Sequence, residues 1–60
     1  MIDLRKLRTE KGFTQEKLAE ECGVLRTTIS MIETGENKPS VPLAQKLSQV
    51  LDVDWKGFYE

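Results

Sequence analysis

The 60-residue chain has no histidine, one cysteine (Cys22), two prolines, and only two Phe, one Trp and one Tyr. Without histidine there is no Ser/His/Asp triad and no His-ligated metal, and a single cysteine forms no internal disulfide. The lone thiol fits a reducing compartment, so a cytoplasmic protein is expected. No apolar run approaches the ~20 residues that a membrane span needs, and Met1-Ile2-Asp3 lacks the basic-then-apolar start of a signal peptide. Neither sign of charge dominates: nine Lys plus Arg face ten Asp plus Glu, a net charge of −1. An anionic partner would therefore have to be met by a local footprint rather than by bulk attraction. A chain this short buries only about 60% of the surface it exposes when unfolded. That leaves room for one small domain, residues 1–60, and none for a deep substrate cleft or a large sheet. The carboxylates are scattered and no nucleophile–base pair is present, so neither an enzyme nor a cofactor is expected.

What is present is punctuation. Gly12, Gly23 and Gly35 each follow a run of periodic apolar residues, where a left-handed residue ends a helix at little cost. The first helical segment runs from about Asp3, a candidate cap, to Lys11, with Leu4 and Leu7 on one face. The second starts at Thr14, another candidate cap, and ends at Cys22; Leu18, Ala19 and Cys22 form one stripe. The third begins near Leu25 or Arg26 and ends at Thr34, with Ile29 and Ile32 apolar. The fourth is capped by Ser40, carries Pro42 in its first turn, where proline is tolerated, and has Leu43, Leu47, Val50 and Leu51 as its stripe. A fifth short helix is expected from Asp54 onward, carrying Trp55, Phe58 and Tyr59, with Gly57 weakening it by roughly 1 kcal/mol relative to Ala. Nothing alternates with period two over a useful length. The expected fold is all-α with five short helices.

The link Cys22-Gly23-Val24-Leu25 between the second and third segments is too short for a hairpin of long helices. It suits two short helices set at about 90–120°, a helix-turn-helix over residues 14–34. The residue types agree. Ala19 is small where the third helix would cross, Gly23 permits the positive φ of the turn, and Leu18, Cys22, Val24, Ile29 and Ile32 are apolar where the packing is inward.

The run Phe13-Thr14-Gln15-Glu16-Lys17-Leu18-Ala19-Glu20-Glu21-Cys22-Gly23-Val24, followed by Ile29-Ser30-Met31-Ile32-Glu33-Thr34-Gly35, resembles the Cro/phage-repressor (XRE-like) family of helix-turn-helix regulators. The resemblance extends to Pro39-Ser40 and Leu51-Asp52-Val53-Asp54-Trp55, and so covers nearly the whole chain. It implies a five-helix, lambda-repressor-like domain that binds double-stranded DNA with its third helix in the major groove, as a transcriptional regulator of the repressor type. On the outward face of that helix, Arg26, Thr27, Ser30 and Met31 become the expected base contacts. Arg26 suits guanine O6/N7, a pairing worth about 1–3 kcal/mol of discrimination. Arg26 would otherwise be a solvated charge at a helix start, which the dipole slightly disfavours. Met31 either touches a thymine methyl or fills a gap.

The resemblance also implies phosphate contacts. Gln15 opens the second helix, where the family uses a Gln to bond phosphate and brace the first recognition residue. Thr34, Asn37 and Lys38 fall in the loop that rides on the DNA backbone, and turn chemistry alone also accounts for Asn37. Arg5 belongs to a first segment with a local surplus of +2 over residues 1–11; it meets a phosphate or belongs to a solvated face. Arg8 and Glu33 stand where the family often places a partly buried ion pair, and are read as structural.

Three departures stand out. Leu25 replaces the usual Ser or Thr cap of the recognition helix, so it either packs on the core or offers an apolar group to a thymine methyl; a lost cap costs about 1 kcal/mol. Asp52 replaces the usual Gly after the fourth helix, a position where Asp tolerates the left-handed region better than most residues. The isoelectric point near 5.4 is low for a DNA binder. Glu16, Glu20, Glu21 and Glu36 must face away from DNA or weaken it, with Glu36 the most exposed to that conflict. Affinity would then depend on a homodimer, for which Val53, Trp55, Phe58 and Tyr59 are the candidate surface, with one of Trp55 and Phe58 expected in the core. The alternative reading is a protein-interaction module, antitoxin- or adaptor-like, with weak or no DNA binding.

Overall fold

Asp3, Thr14, Ser40 and Asp54 each accept a backbone N–H at the start of an element, from Lys6, Lys17, Leu43 and Lys56 respectively. These caps satisfy donors that the first turn of a helix leaves without an internal partner. They open α1 (Leu4–Glu10), α2 (Gln15–Cys22) and α4 (Val41–Leu51), together with a 3-10 turn at Trp55–Phe58. The remaining helix, α3 (Arg26–Glu33), starts at Leu25 with no side-chain cap. This computed structural model describes residues 2–59, and among them there is no strand.

The fold is therefore all-α, with one correction to the expected five helices: the last element is a four-residue 3-10 turn. Its bonds close three residues apart, Gly57 N–H to the Asp54 carbonyl and Tyr59 N–H to the Lys56 carbonyl. The segment is too short, and too weakened by Gly57, to repay the cost of nucleating an α-helix. Gly57 has a further use. A Cβ there would lie 2.6 Å from Ile2 Cδ1, so the missing side chain makes the space that Ile2 occupies.

Helix ends follow the left-handed positions. Gly23 has φ +69° and closes α2 through its N–H to the Glu20 carbonyl, which redirects the chain into α3. Asp52 takes φ +56° at the end of α4.

The core consists of Leu4, Leu18, Ala19, Cys22, Ile29, Ala44, Leu47, Leu51 and Phe58. Leu18, Ile29, Leu47 and Leu51 are fully enclosed. Of the inward positions expected around the turn, Leu18, Ala19, Cys22 and Ile29 are buried, while Val24 and Ile32 pack on the core half-buried. In α4 the stripe is centred on Ala44, Leu47 and Leu51, with Leu43 and Val50 at its margins. Phe58 is the aromatic that closes the core, and this removes it from the candidate dimer surface. Trp55 stays half-buried and meets Tyr59 edge to face, ring centres 6.1 Å apart. Among the described residues no helix is long and apolar enough to cross a membrane.

Candidate nucleic-acid interface

The outward side of α3 meets the start of α2. Gln15, Arg26, Thr27 and Ser30 line one shallow cleft. A second, polar cleft joins it on the side of α1 and is lined by Arg5, Arg8, Phe13, Thr14, Gln15, Glu16 and Arg26. Packing of α2 against α3 brings these surfaces together. Ile29 is buried against the core, which turns Thr27 and Ser30 away from it, while Arg26 is exposed in the first turn of the helix. Arg26 and Thr27 are exposed, and Ser30 and Met31 are half-buried.

Hydrogen bonds fix much of this surface in advance. Arg8 and Glu33 form an ion pair between α1 and α3: Nε donates to Oε2 at 2.6 Å and Nη2 to Oε1 at 3.4 Å. Their side chains are 11% and 4% exposed. The third nitrogen of Arg8, Nη1, donates to the Phe13 carbonyl at 2.8 Å. All three nitrogens of Arg8 are thus engaged by protein, which fixes the guanidinium in place. Gln15 Nε2 donates to Glu33 Oε1 at 3.1 Å, and Arg26 Nε donates to Gln15 Oε1 at 3.4 Å. The bond from Gln15 to Glu33 joins residues 18 apart in the chain, and no local pattern in the sequence announces it.

The loop after α3 is organised by Met31. Its carbonyl accepts the N–H groups of Glu36 and Asn37 and the Thr34 hydroxyl, and its Sδ accepts from Asn37 Nδ2 at 3.8 Å. Met31 is therefore tied to the loop as well as lying beside the outward face. Thr34, Asn37 and Lys38 are all exposed. Thr34 and Asn37 spend one polar group each on holding the loop, while Lys38 projects from it as an exposed cation.

Of the acidic residues, Glu16 lies in the cleft with Arg5 and Arg26. Glu21 pairs with Lys17 one turn earlier on α2. Leu25 is 74% exposed, which excludes the core-packing reading and leaves a large apolar side chain standing at the uncapped amino end of α3. Among the described residues no three Cys, Asp or Glu side chains gather as metal ligands would.

The architecture matches a known pattern over almost the whole chain, since the helix-turn-helix family model covers residues 4–58. The chain belongs to the helix-turn-helix family. The resemblance to Cro/phage-repressor regulators read from the sequence is borne out. Within the family, the chain is 46% identical over 57 residues to the uncharacterized HTH-type transcriptional regulator YqaF of Bacillus subtilis, covering 95% of this chain and 75% of YqaF. It is 39% identical to the HTH-type transcriptional regulator SinR of the same species over 51 residues, 83% of this chain but 46% of SinR. The N-terminal DNA-binding domain of SinR has a solved structure that superposes with a TM-score of 0.83 at 34% identity, covering 95% of this chain and 84% of that one.

Proposed function

We propose that this chain is a sequence-specific, double-stranded DNA-binding transcriptional regulator, a repressor, that inserts α3 in the major groove. One observation carries the reading: the chain shares the fold of the DNA-binding domain of SinR, and its α2–α3 unit presents Arg26, Thr27 and Ser30 together in an open cleft. Base contacts are assigned to Arg26, Thr27, Ser30 and Met31, with Met31 the most constrained because it also holds the loop. Phosphate contacts are assigned to Gln15, Arg5, Thr34, Asn37 and Lys38. The second hydrogen of Gln15 Nε2 remains available beside its bond to Glu33, so bracing and phosphate contact are compatible. The domain comprises residues 1–60, is non-catalytic and works in the cytoplasm.

Two protomers related by a two-fold axis would read half-sites ~34–36 Å apart. With Phe58 in the core, the remaining candidate dimer surface is Val53, Trp55 and Tyr59.

Selection from a random duplex pool tests this reading, followed by fluorescence anisotropy at two salt concentrations. The expected result is an enriched palindromic site whose affinity falls steeply with salt, because phosphate contacts release counterions. Arg26→Ala should erase the preference at one base pair, and Lys38→Ala should weaken all sequences alike. A pool that yields no enriched site, with binding that vanishes near physiological salt, would replace this reading with the protein-interaction module.

A further inference from the structure

The side chain assigned to read a base is already held before any DNA arrives. Arg26 Nε donates to Gln15 Oε1, Gln15 Nε2 donates to Glu33 Oε1, and Glu33 is gripped by Arg8, itself anchored on the Phe13 carbonyl. Four side chains from three helices thus form one line of donors and acceptors, running from an interior carboxylate to an exposed guanidinium. The polarity of the line is set at its buried end. A carboxylate only accepts, so Gln15 must turn its NH2 toward Glu33, and its amide oxygen is left facing Arg26. An arginine only donates, so that oxygen is the group that can hold it. Engaged through Nε, Arg26 keeps Nη1 and Nη2 as an end-on fork, a geometry that matches the O6/N7 pair of guanine.

We propose that Glu33 is a positioning residue for base readout: it orients Gln15, Gln15 holds Arg26, and base preference is governed in part by a carboxylate that touches no DNA. This rests on the DNA-binding reading above, and goes beyond the structural ion pair with Arg8. Were Glu33 only half of an ion pair, neutralising it would weaken the fold, and with it affinity for every sequence equally. Acting through Gln15, it must also change which base is preferred at the Arg26 position.

Two readouts on Glu33→Gln and Gln15→Met separate these cases. The first uses free protein: side-chain 15N relaxation at Arg26 Nε. Both variants should lower its order parameter below about 0.6, the range of flexible groups. The second uses DNA: the affinity ratio between the selected site and the same site inverted at the base pair whose preference Arg26→Ala erases. That ratio should fall about three- to tenfold in both variants, within the discrimination a single bidentate contact supplies, and other base pairs should keep their preferences. Should Glu33→Gln alone fail to fold by circular dichroism, the Arg8→Met/Glu33→Leu pair removes both charges together, strands neither, and leaves Gln15 no acceptor at position 33. An Arg26 Nε–H as ordered as in the parent, or a uniform loss of affinity with the ratio intact, would overturn the proposal. If the parent selects no site at all, the DNA reading fails on that arm, and the relaxation arm still decides whether Glu33 orders Arg26.

Discussion

Tyr59 donates its hydroxyl proton to the carbonyl of Pro39, tying the residue after the 3-10 turn to the segment between α3 and α4. Pro39 is buried, so this carbonyl depends on a protein partner. Tyr59→Phe removes the bond and keeps the ring against Trp55. It should cost about 1 kcal/mol and lower Tm by about 4–8 °C in a domain of this size. Thermal circular dichroism measures it.

The ion pair between α1 and α3 predicts an asymmetry. Arg8→Ala leaves the Glu33 carboxylate, 4% exposed, without its partner, and should cost about 3–5 kcal/mol. For a domain that is only marginally stable this means substantial unfolding at ambient temperature. Arg8→Met combined with Glu33→Leu removes both charges and should retain far more stability than Arg8→Ala alone. Urea titrations of the two variants, followed by helical signal, give the comparison; equal losses would show that the pair is too well solvated to matter.

Leu25 offers a gain. It stands 74% exposed at the amino end of the only α-helix, among the described residues, that lacks a side-chain cap. Its backbone is already extended, φ −77° and ψ 149°, as a capping residue requires. Leu25→Ser should add about 1 kcal/mol, read as a rise in Tm. A fall in Tm would mean that the leucine makes contacts its exposure does not reveal.

Glu16 shares a cleft with Arg5 and Arg26. A phosphate entering there meets a like charge, with a repulsion of order 0.5–1 kcal/mol in high dielectric. Glu16→Gln should tighten DNA binding by about threefold at low salt, and the gain should shrink as salt rises and screens the charge. Anisotropy titrations across a salt series test both parts.

Cys22 lies in the core, and its thiol is raised above the ordinary range by burial first; Lys46 pulls the other way and Glu21 reinforces the rise. Native protein should therefore react slowly with iodoacetamide at mildly alkaline pH and at the normal thiol rate once unfolded. The sign for stability follows. The raised native value favours the folded state while the thiol is protonated in both states, and that contribution fades as pH rises through the thiol range. Alkylation followed by mass, with and without urea, is the check.

The ends of the helices were legible because they are set by local chemistry. Asp3, Thr14 and Ser40 cap through bonds to residues three positions on, and Gly23 and Asp52 turn the chain through their own backbone angles. The apolar spacing of residues 54–59 suits an α-helix and a 3-10 turn alike, and the bonds that separate the two are not written in that spacing. Trp55 and Phe58 likewise carry no mark in the sequence that says which one is enclosed. The resemblance pairs Arg8 with Glu33, and the structure holds them at 2.6 Å. The bond from Gln15 to Glu33 was out of reach, since it exists only after α2 and α3 have packed. Leu25 was ambiguous for the same reason: a leucine at a cap position looks identical in sequence whether a neighbour covers it or not.

Ile2 and Gly57 have a consequence for chain connectivity. The Ile2 N–H donates to the Gly57 carbonyl at 3.2 Å, and the Ile2 side chain fills the space beside that glycine. The segments that carry them, near opposite limits of the described residues, are thereby neighbours in space. A short glycine-rich bridge joining them, with new termini opened at the exposed Gly12 turn, would give a circular permutant whose helices keep every mutual contact. Such a chain would start at the helix-turn-helix itself and bring α1 last, making the order of synthesis and the geometry of the interface independent of one another.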